Sequence, residues 1–282
     1  MRLFDPHVHM SSRTTADYEA MAAAGIAVVV EPAFWLGQPR THAGSFADYF
    51  ASLVGWEPFR ASQFDVRHFC ALALNPREAN DDRIAADVVA LLPRYLAKDG
   101  VVAVGEVGYD EQTPAEERWF AEQLELARRF DLPVLVHTPH RDKKRGTERS
   151  LALVREIGLP PQRVLIDHNT EETLPLVLRA GCWAGHSIYP NSKMDEPRMA
   201  ALVQQYGGER VLINSAADWG ISDPLKVATT VAEMRARGIA EEVIATVAWD
   251  NPVAFFSQSG RLDLEAGDAT GNAFAGNTVR RG

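Results

Sequence analysis

Leu3-Phe4-Asp5-Pro6-His7-Val8-His9-Met10 is the stretch from which the rest of the chain is read. An apolar pair leads into two imidazoles one residue apart. Side chains of an extended strand alternate between faces, so His7 and His9 share a face, with Cα atoms roughly 6.5–7 Å apart. Two neutral imidazoles on one face are half of a metal site. The other reading is a polar strand whose histidines face solvent. What speaks against it is that later histidines and carboxylates also recur where apolar runs stop.

Those runs come in a regular order. Positions 15–24 read as a helix capped by Thr14 or Thr15 and stopped by Gly25. Ile26-Ala27-Val28-Val29-Val30-Glu31 is a second strand, bounded by Gly25 and Pro32. The aromatic-rich stretch 34–60 holds one predicted helix over 45–56, in a connection that either caps the site or forms a satellite hydrophobic cluster. Strand three covers 66–74 and stops at Asn75-Pro76, with a helix over 83–97 behind it. Strand four, Val101-Val102-Ala103-Val104-Gly105-Glu106-Val107-Gly108, ends in a carboxylate between glycines. A helix over 114–130 follows, with Thr113 as N-cap and Pro114 in its first turn. Strand five, 133–137, ends in His137, and the basic loop His140-Arg141-Asp142-Lys143-Lys144-Arg145 leads to a helix over 147–157. Strand six, Val164-Leu165-Ile166-Asp167-His168, precedes a helix from about 170 with Glu171 and Glu172 in its first turn. Strands seven (181–188) and eight (210–215) flank a helix over 196–206, and helices over 224–237, 240–248 and 252–256 finish the pattern. One domain is expected over 1–260, with 261–282 a flexible tail poor in large apolar residues.

Eight strands alternating with helices at a spacing of about 30 residues predict a single α/β (β/α)8 TIM barrel. Strands apolar throughout suit a parallel sheet covered by helices. A doubly wound open sheet shows a similar alternation, but gives no reason for polar side chains to end nearly every strand. A barrel does, because its active site collects residues from the carboxyl ends of its strands.

Composition narrows the class. With 282 residues, 46% hydrophobic and 24% charged, the chain is an ordinary soluble globular protein. A formal net charge of -9 disfavours nucleic acid as a partner, which calls for a basic surface. Cys70 and Cys182 fall in apolar runs and are expected as buried free thiols rather than a disulfide. The chain reaches Asp5 and His7 at once, with no room for a secretory segment, and no apolar run approaches the ~18 residues of a membrane span. The cytoplasm is the expected location.

The last polar residues of the strands that could point inward are His7 and His9, Glu31, Glu106, His137, His168, His186 and Asp218. Satisfied core histidines account for one or two of these and poorly for the set. Four imidazoles with two carboxylates are the ligand inventory of one or two divalent ions such as zinc or manganese. Two such ions roughly 3.5–4 Å apart need a bridging ligand, and Glu106 has two oxygens to offer.

Asp5-Pro6-His7-Val8-His9, Val104-Gly105-Glu106-Val107-Gly108-Tyr109-Asp110, Pro133-Val134-Leu135-Val136-His137-Thr138, Ile166-Asp167-His168 and Asp250-Asn251-Pro252-Val253-Ala254-Phe255-Phe256 follow one another in this order. In these motifs the chain resembles the TatD-like branch of the amidohydrolase superfamily, over about residues 1 to 260. The resemblance implies a binuclear metal site in which His7, His9, Glu106 and Asp218 hold one ion, and Glu106, His137 and His168 the other. The chain departs from that family twice. An ungapped match of the family's Glu-Thr-Asp-x-Pro ending puts its aspartate at Ala216, whereas Asp218 comes two residues later and is followed by Trp219. The arginine expected soon after the strand-five histidine is delayed to Arg141 by Thr138-Pro139-His140.

The expected chemistry is metal-assisted hydrolysis, with Asp218 orienting the attacking water and moving its proton. Arg141 is a candidate for binding a phosphate, or belongs to a solvated basic loop. His186 either donates to substrate or is structural, and Glu31 either supports a ligating imidazole or serves structure alone. Trp219 is a further candidate contact for substrate. The family and the basic loop favour a small phosphorylated substrate and a phosphoester bond. An amide or lactone is the rival, since one site serves both electrophiles. A barrel that binds metal without turnover is the third reading, kept open by Trp219 and the displaced Asp218.

Overall fold

Runs rich in Val, Ile and Leu form eight strands: β1 (Leu3–Asp5), β2 (Ile26–Pro32), β3 (Arg67–Leu72), β4 (Val101–Gly108), β5 (Val134–His137), β6 (Val164–Ile166), β7 (Trp183–Ser187) and β8 (Val211–Asn214). In the computed structural model, which describes residues 1–190 and 192–264, they lie side by side in chain order and every adjacent pair is parallel. The last strand meets the first just past their carboxyl ends. There Ala216 N–H donates to His7 O and His9 N–H to Ala217 O, each at 2.8 Å. The sheet is thereby the (β/α)8 TIM barrel that the alternation predicts.

Helices occupy the connections: α1 (Thr15–Ala23), α2 (Ala43–Ala51), α3 (Glu57–Ser62), α4 (Ala85–Leu96), α5 (Pro114–Phe130), α6 (Lys143–Ile157), α7 (Leu174–Arg179), α8 (Glu196–Tyr206), α9 (Lys226–Ala236), α10 (Glu241–Ala245) and α11 (Asn251–Ser257). Strand alternation sorts the apolar residues into two layers. Phe4, Val28, Val30, Phe69, Leu135, Leu165 and Leu212 fill the barrel interior, where Phe255 and Phe256 of α11 join them. Leu3, Val29, Cys70, Leu72, Val136, Ile166 and Ile213 face the helices instead. Cys70 and Cys182 are free and buried. Among the described residues no helix is long and apolar enough to cross a membrane.

Four local expectations change. The single helix over 45–56 is longer: α2 runs into a π-helical turn, Ser52–Trp56, and on into α3. Pro58 has no N–H to bond four residues back, and a widened turn just before it lets the helix continue. The same device, with Pro252 after a π turn at Thr246–Asp250, fuses the two predicted final helices through α10 and α11. α7 starts only at Leu174, so Glu171 and Glu172 precede its first turn, and Glu171 instead accepts from Arg198 at 2.8 and 2.7 Å. The predicted tail is packed at its start: Leu262 and Leu264 lie against the interior cluster, and Arg261 donates to the carbonyls of Leu96 and Val101. The rest of that tail, 265–282, lies outside the described residues.

Candidate metal centre

Four imidazoles and one carboxylate converge at the carboxyl end of the barrel. Glu106 Oε1 lies 3.2 Å from His137 Nδ1, 3.3 Å from His168 Nε2 and 3.5 Å from His7 Nε2. His7 Nε2 and His9 Nε2 are 3.1 Å apart, and His168 Nε2 is 3.0 Å from His137 Nδ1. Ligand atoms of His7, Glu106 and His168 all fall within 4.8 Å of one another, and all three residues are buried. The cluster forms the floor of a cavity of about 230 Å³ whose walls include Phe34, Trp35, Arg77, His140, Lys193, Asp218 and Trp219.

The outer partners decide what the rings present. His7 Nδ1 sits 2.6 Å from Asp167 Oδ2, and His9 Nδ1 sits 3.2 Å from Pro32 O. Both partners only accept, so each Nδ1 carries the hydrogen and each Nε2 presents a lone pair. In the metal-free chain a proton on His7 can bridge these two nitrogens, 3.1 Å apart, and a divalent ion can take that proton's place. The donor set therefore fits a divalent ion by its own chemistry, and Asp167 behind His7 is the carboxylate–imidazole support that metal sites use.

Local structure explains how the groups come so close. Gly108 stands at φ 128°, and a Cβ there would lie 2.3 Å from His137 O, so glycine lets β4 and β5 bring Glu106 beside His137. Gly185 in β7 leaves room for Asp167, whose Oδ1 would be 2.4 Å from an added Cβ. Asp167 is further held by both of its oxygens, 3.0 and 3.1 Å from Asn214 Nδ2, and by the His168 N–H at 2.7 Å. His168 itself is left-handed (φ 60°), an uncommon backbone for a side chain of its size. Its Nδ1 rests 2.7 Å from Ser187 Oγ. The His9 ring stacks on Phe34 at 3.5 Å between centroids.

Burial opposes charge on all of these groups, and the neighbours decide the outcome. Burial would raise Glu106, but His7, His137 and His168 outweigh it and hold its carboxyl well below the usual range. Burial would likewise raise Asp167, yet the charge of His168 and the bond from His7 lower it. Burial pushes His9 and His168 well below the usual imidazole range, toward the neutral form that binds metal; the charge of His7 adds to this at His9, and that of Lys193 at His168. On His7, burial is outweighed by Glu106 and Asp167, and its pKa rises.

A family model described as TatD related DNase matches residues 4–257. The chain belongs to this family. An uncharacterized metal-dependent hydrolase of Methanocaldococcus jannaschii is 26% identical over 259 residues, which is 90% of this chain and 99% of that protein. A crystal structure of a TatD-like protein from Archaeoglobus fulgidus, also 26% identical, superposes with a TM-score of 0.74 over 90% of this chain and 99% of its own. The phosphotriesterase homology protein of Escherichia coli, complexed with phosphate in its active site, shares the fold (TM-score 0.67, 14% identity, 90% and 98% covered). This TatD-family chain is a metal-dependent hydrolase with a His/Glu/His group able to hold a metal.

The remaining sequence candidates of this TatD barrel lie in different places. Asp218 lines the cavity but stands outside the His7–Glu106–His168 group. The chain turns at left-handed Ala216 (φ 43°), and Asp218 Oδ1 accepts from Gly220 N–H at 2.7 Å and Tyr189 O–H at 3.2 Å. Trp219 lines the mouth, half exposed and edge-on to Trp35. Arg141 faces solvent and does not line the cavity, because the left-handed turn at Asp142 starts α6 four residues earlier than predicted and carries Arg141 outward. Lys143 turns inward instead and donates to Thr138 Oγ1 at 3.2 Å.

His186 and Glu31 point away from the cavity. In β7 the inward positions are Gly185 and Ser187, beside Asp167 and His168, so His186 faces the helix layer, where burial pushes its pKa down to about 4. Val30 faces the interior, so Glu31 faces outward, bonded to His68 Nε2 at 2.9 Å and Ser11 N–H at 2.8 Å. Asp167, Lys193, Arg77 and His140 are site residues that sequence reasoning missed. Asp167 had a signal in its place beside His168. The other three sit in loops, where no periodicity points to them.

Proposed function

We propose that this protein hydrolyses phosphoesters of small molecules with the help of one or two divalent ions, zinc or manganese. The observation that carries the reading is the single oxygen Glu106 Oε1 facing three imidazole nitrogens at 3.2–3.5 Å. A carboxylate so surrounded can serve two cations, one shared with His7, His9 and Asp218 and one with His137 and His168. When bound, such ions supply Lewis acidity and activate water near neutral pH. The chain's own groups do the rest. Asp167 keeps His7 in its ligating tautomer. Asp218 accepts the proton of the attacking water and passes it to the leaving oxygen, with Tyr189 and Gly220 N–H orienting its carboxylate. Phe34, Trp35 and Trp219 narrow the mouth and exclude bulk water.

Positive side chains at the cavity, Arg77 and Lys193, favour a phosphoester over a neutral amide or lactone. A net charge of -9 and a cavity of about 230 Å³ favour a small substrate over nucleic acid. Two buried thiols left unpaired favour a cytoplasmic location. The test is metal analysis of the purified protein, followed by a panel of phosphomonoester, phosphodiester, amide and lactone substrates. About one to two equivalents of metal with phosphoester turnover is the expected result. Turnover confined to the amide or lactone, or failure to take up zinc or manganese, would overturn it.

A further inference from the structure

Among the described residues that line the cavity, Lys193 is the lone ammonium. The β7–α8 connection holds it from both sides. Lys193 N–H donates to Tyr189 O at 2.8 Å and Tyr189 N–H to Met194 O at 2.9 Å. Arg198, itself paired with Glu171, donates to Lys193 O at 2.9 Å. The Nζ rests 5.4 Å from the centre of the Tyr189 ring, and no carboxylate among the described residues pairs with it. It lines the same cavity as Glu106, His7, His9, His168 and Asp218, and its charge acts on them and on Asp167. Arg77 is in a different situation: it stacks on Trp35 at 4.0 Å and already has Asp110 4.0 Å away.

An ammonium that senses carboxylates across the cavity but is directly paired with none of them is left with donors that a bound anion can take up. A neutral ester brings no charge to it. A phosphodiester brings one negative charge. A phosphomonoester carries about -1.5 to -2 near neutral pH and so gains more from pairing with an ammonium. We propose that Lys193 is a substrate-binding residue that pairs with the phosphoryl oxygens of a phosphomonoester and gives the site its preference for that substrate class. The inference rests on the phosphoesterase reading above.

The test uses metal-loaded parent protein, Lys193→Gln and Lys193→Arg. Steady-state kinetics on phenyl phosphate, diphenyl phosphate and phenyl acetate are set beside calorimetric binding of inorganic phosphate. Lys193→Gln is expected to raise KM for phenyl phosphate about 10- to 100-fold with a smaller change in kcat, and to weaken inorganic phosphate by a similar factor. Metal content should match the parent, and Lys193→Arg should recover most of the loss. Equal losses on all three substrates, or phosphate affinity within about 2-fold of the parent in Lys193→Gln, would overturn the proposal. If the parent turns over no phosphoester while Lys193→Gln still weakens phosphate, the phosphoesterase reading falls and the anion-binding role of Lys193 is supported.

Discussion

Two buried carboxylate–imidazole groupings lie on opposite faces of the barrel wall. Glu106 faces inward and meets His7, His137 and His168 at 3.2–3.5 Å, in front of a cavity. Glu31 faces outward and meets only His68, at 2.9 Å, with Ser11 N–H taking its other oxygen. The ingredients are the same and the consequences are not. Around Glu106 three imidazoles crowd one carboxylate below an open cavity, a group able to hold a metal ion. Around Glu31 one imidazole and one N–H satisfy the carboxylate, and the pair ties β2 and β3 to the turn after β1. Strand parity, not residue type, separates a candidate metal centre from a structural clamp.

The strongest way to break this comparison is to truncate both carboxylates. Glu106→Ala is expected to reduce bound metal toward zero and activity by about 10³-fold or more, read by metal analysis and turnover. Glu31→Ala should leave metal content intact and lower stability by about 1–3 kcal/mol for each hydrogen-bond partner it strands, read by denaturant melts. Metal loss in Glu31→Ala would dissolve the distinction.

Asp5 sharpens the contrast as a third buried carboxylate, one without an imidazole on its oxygens. Its Oδ1 accepts two N–H groups at 3.2 Å, from His7 and Ser215, and burial raises its pKa to about 7. The folded state therefore holds a proton that the unfolded chain releases near pH 4. In the metal-stripped protein Asp5 contributes stability that is lost as pH rises from about 4 to about 7, by no more than ~4 kcal/mol, against the opposite slope of His9, His168 and His186, which burial holds neutral. Asp5→Asn should therefore make stability rise more steeply with pH across that window than in the parent, read by denaturant melts at each pH, while a profile parallel to the parent's would remove Asp5 as a contributor.

Smaller effects are expected behind the ligands. Asp167→Asn should weaken metal binding about 10- to 100-fold without unfolding the barrel, measured by competition with a chelating dye. Gly185→Ala should act in the same direction, since its Cβ would meet Asp167 Oδ1 at 2.4 Å. Smallest of all is Arg141→Ala, whose side chain faces solvent. Its kcat/KM should stay within about 2-fold of the parent, the usual outcome for an exposed residue away from the site.

Much of the barrel was legible in the chain. β4, α5 and α8 lie where apolar runs, Thr113 and Pro114 say they should, because caps and breakers act locally. His7 and His9 were legible as a pair for the same reason, since spacing of two in an extended segment means one face. The two π turns were not, although Pro58 and Pro252 mark them, because only packing decides whether a helix widens or ends at a proline. Glu31 and His186 were read as site candidates from their place at strand ends, and they face the helices. Inward parity depends on how each strand is rotated in the closed sheet, and register shifts within β1–β2, β3–β4 and β4–β5 reset it.

The sequence by itself determined the alternation of strand and helix, the closed parallel architecture and the imidazole-rich chemistry, since periodicity, capping and ligand type are properties of neighbouring residues. The tertiary structure decided which of the polar strand ends meet. It brought Asp167 behind His7, turned Arg141 out and Lys143 in, held Asp218 in its turn with Gly220, and set Lys193 in the lining of the cavity. These contacts join strands and loops far apart in the chain. Their geometry is set by barrel closure and by the glycines at 108 and 185, which let backbones and carboxylates approach where a side chain would stand in the way.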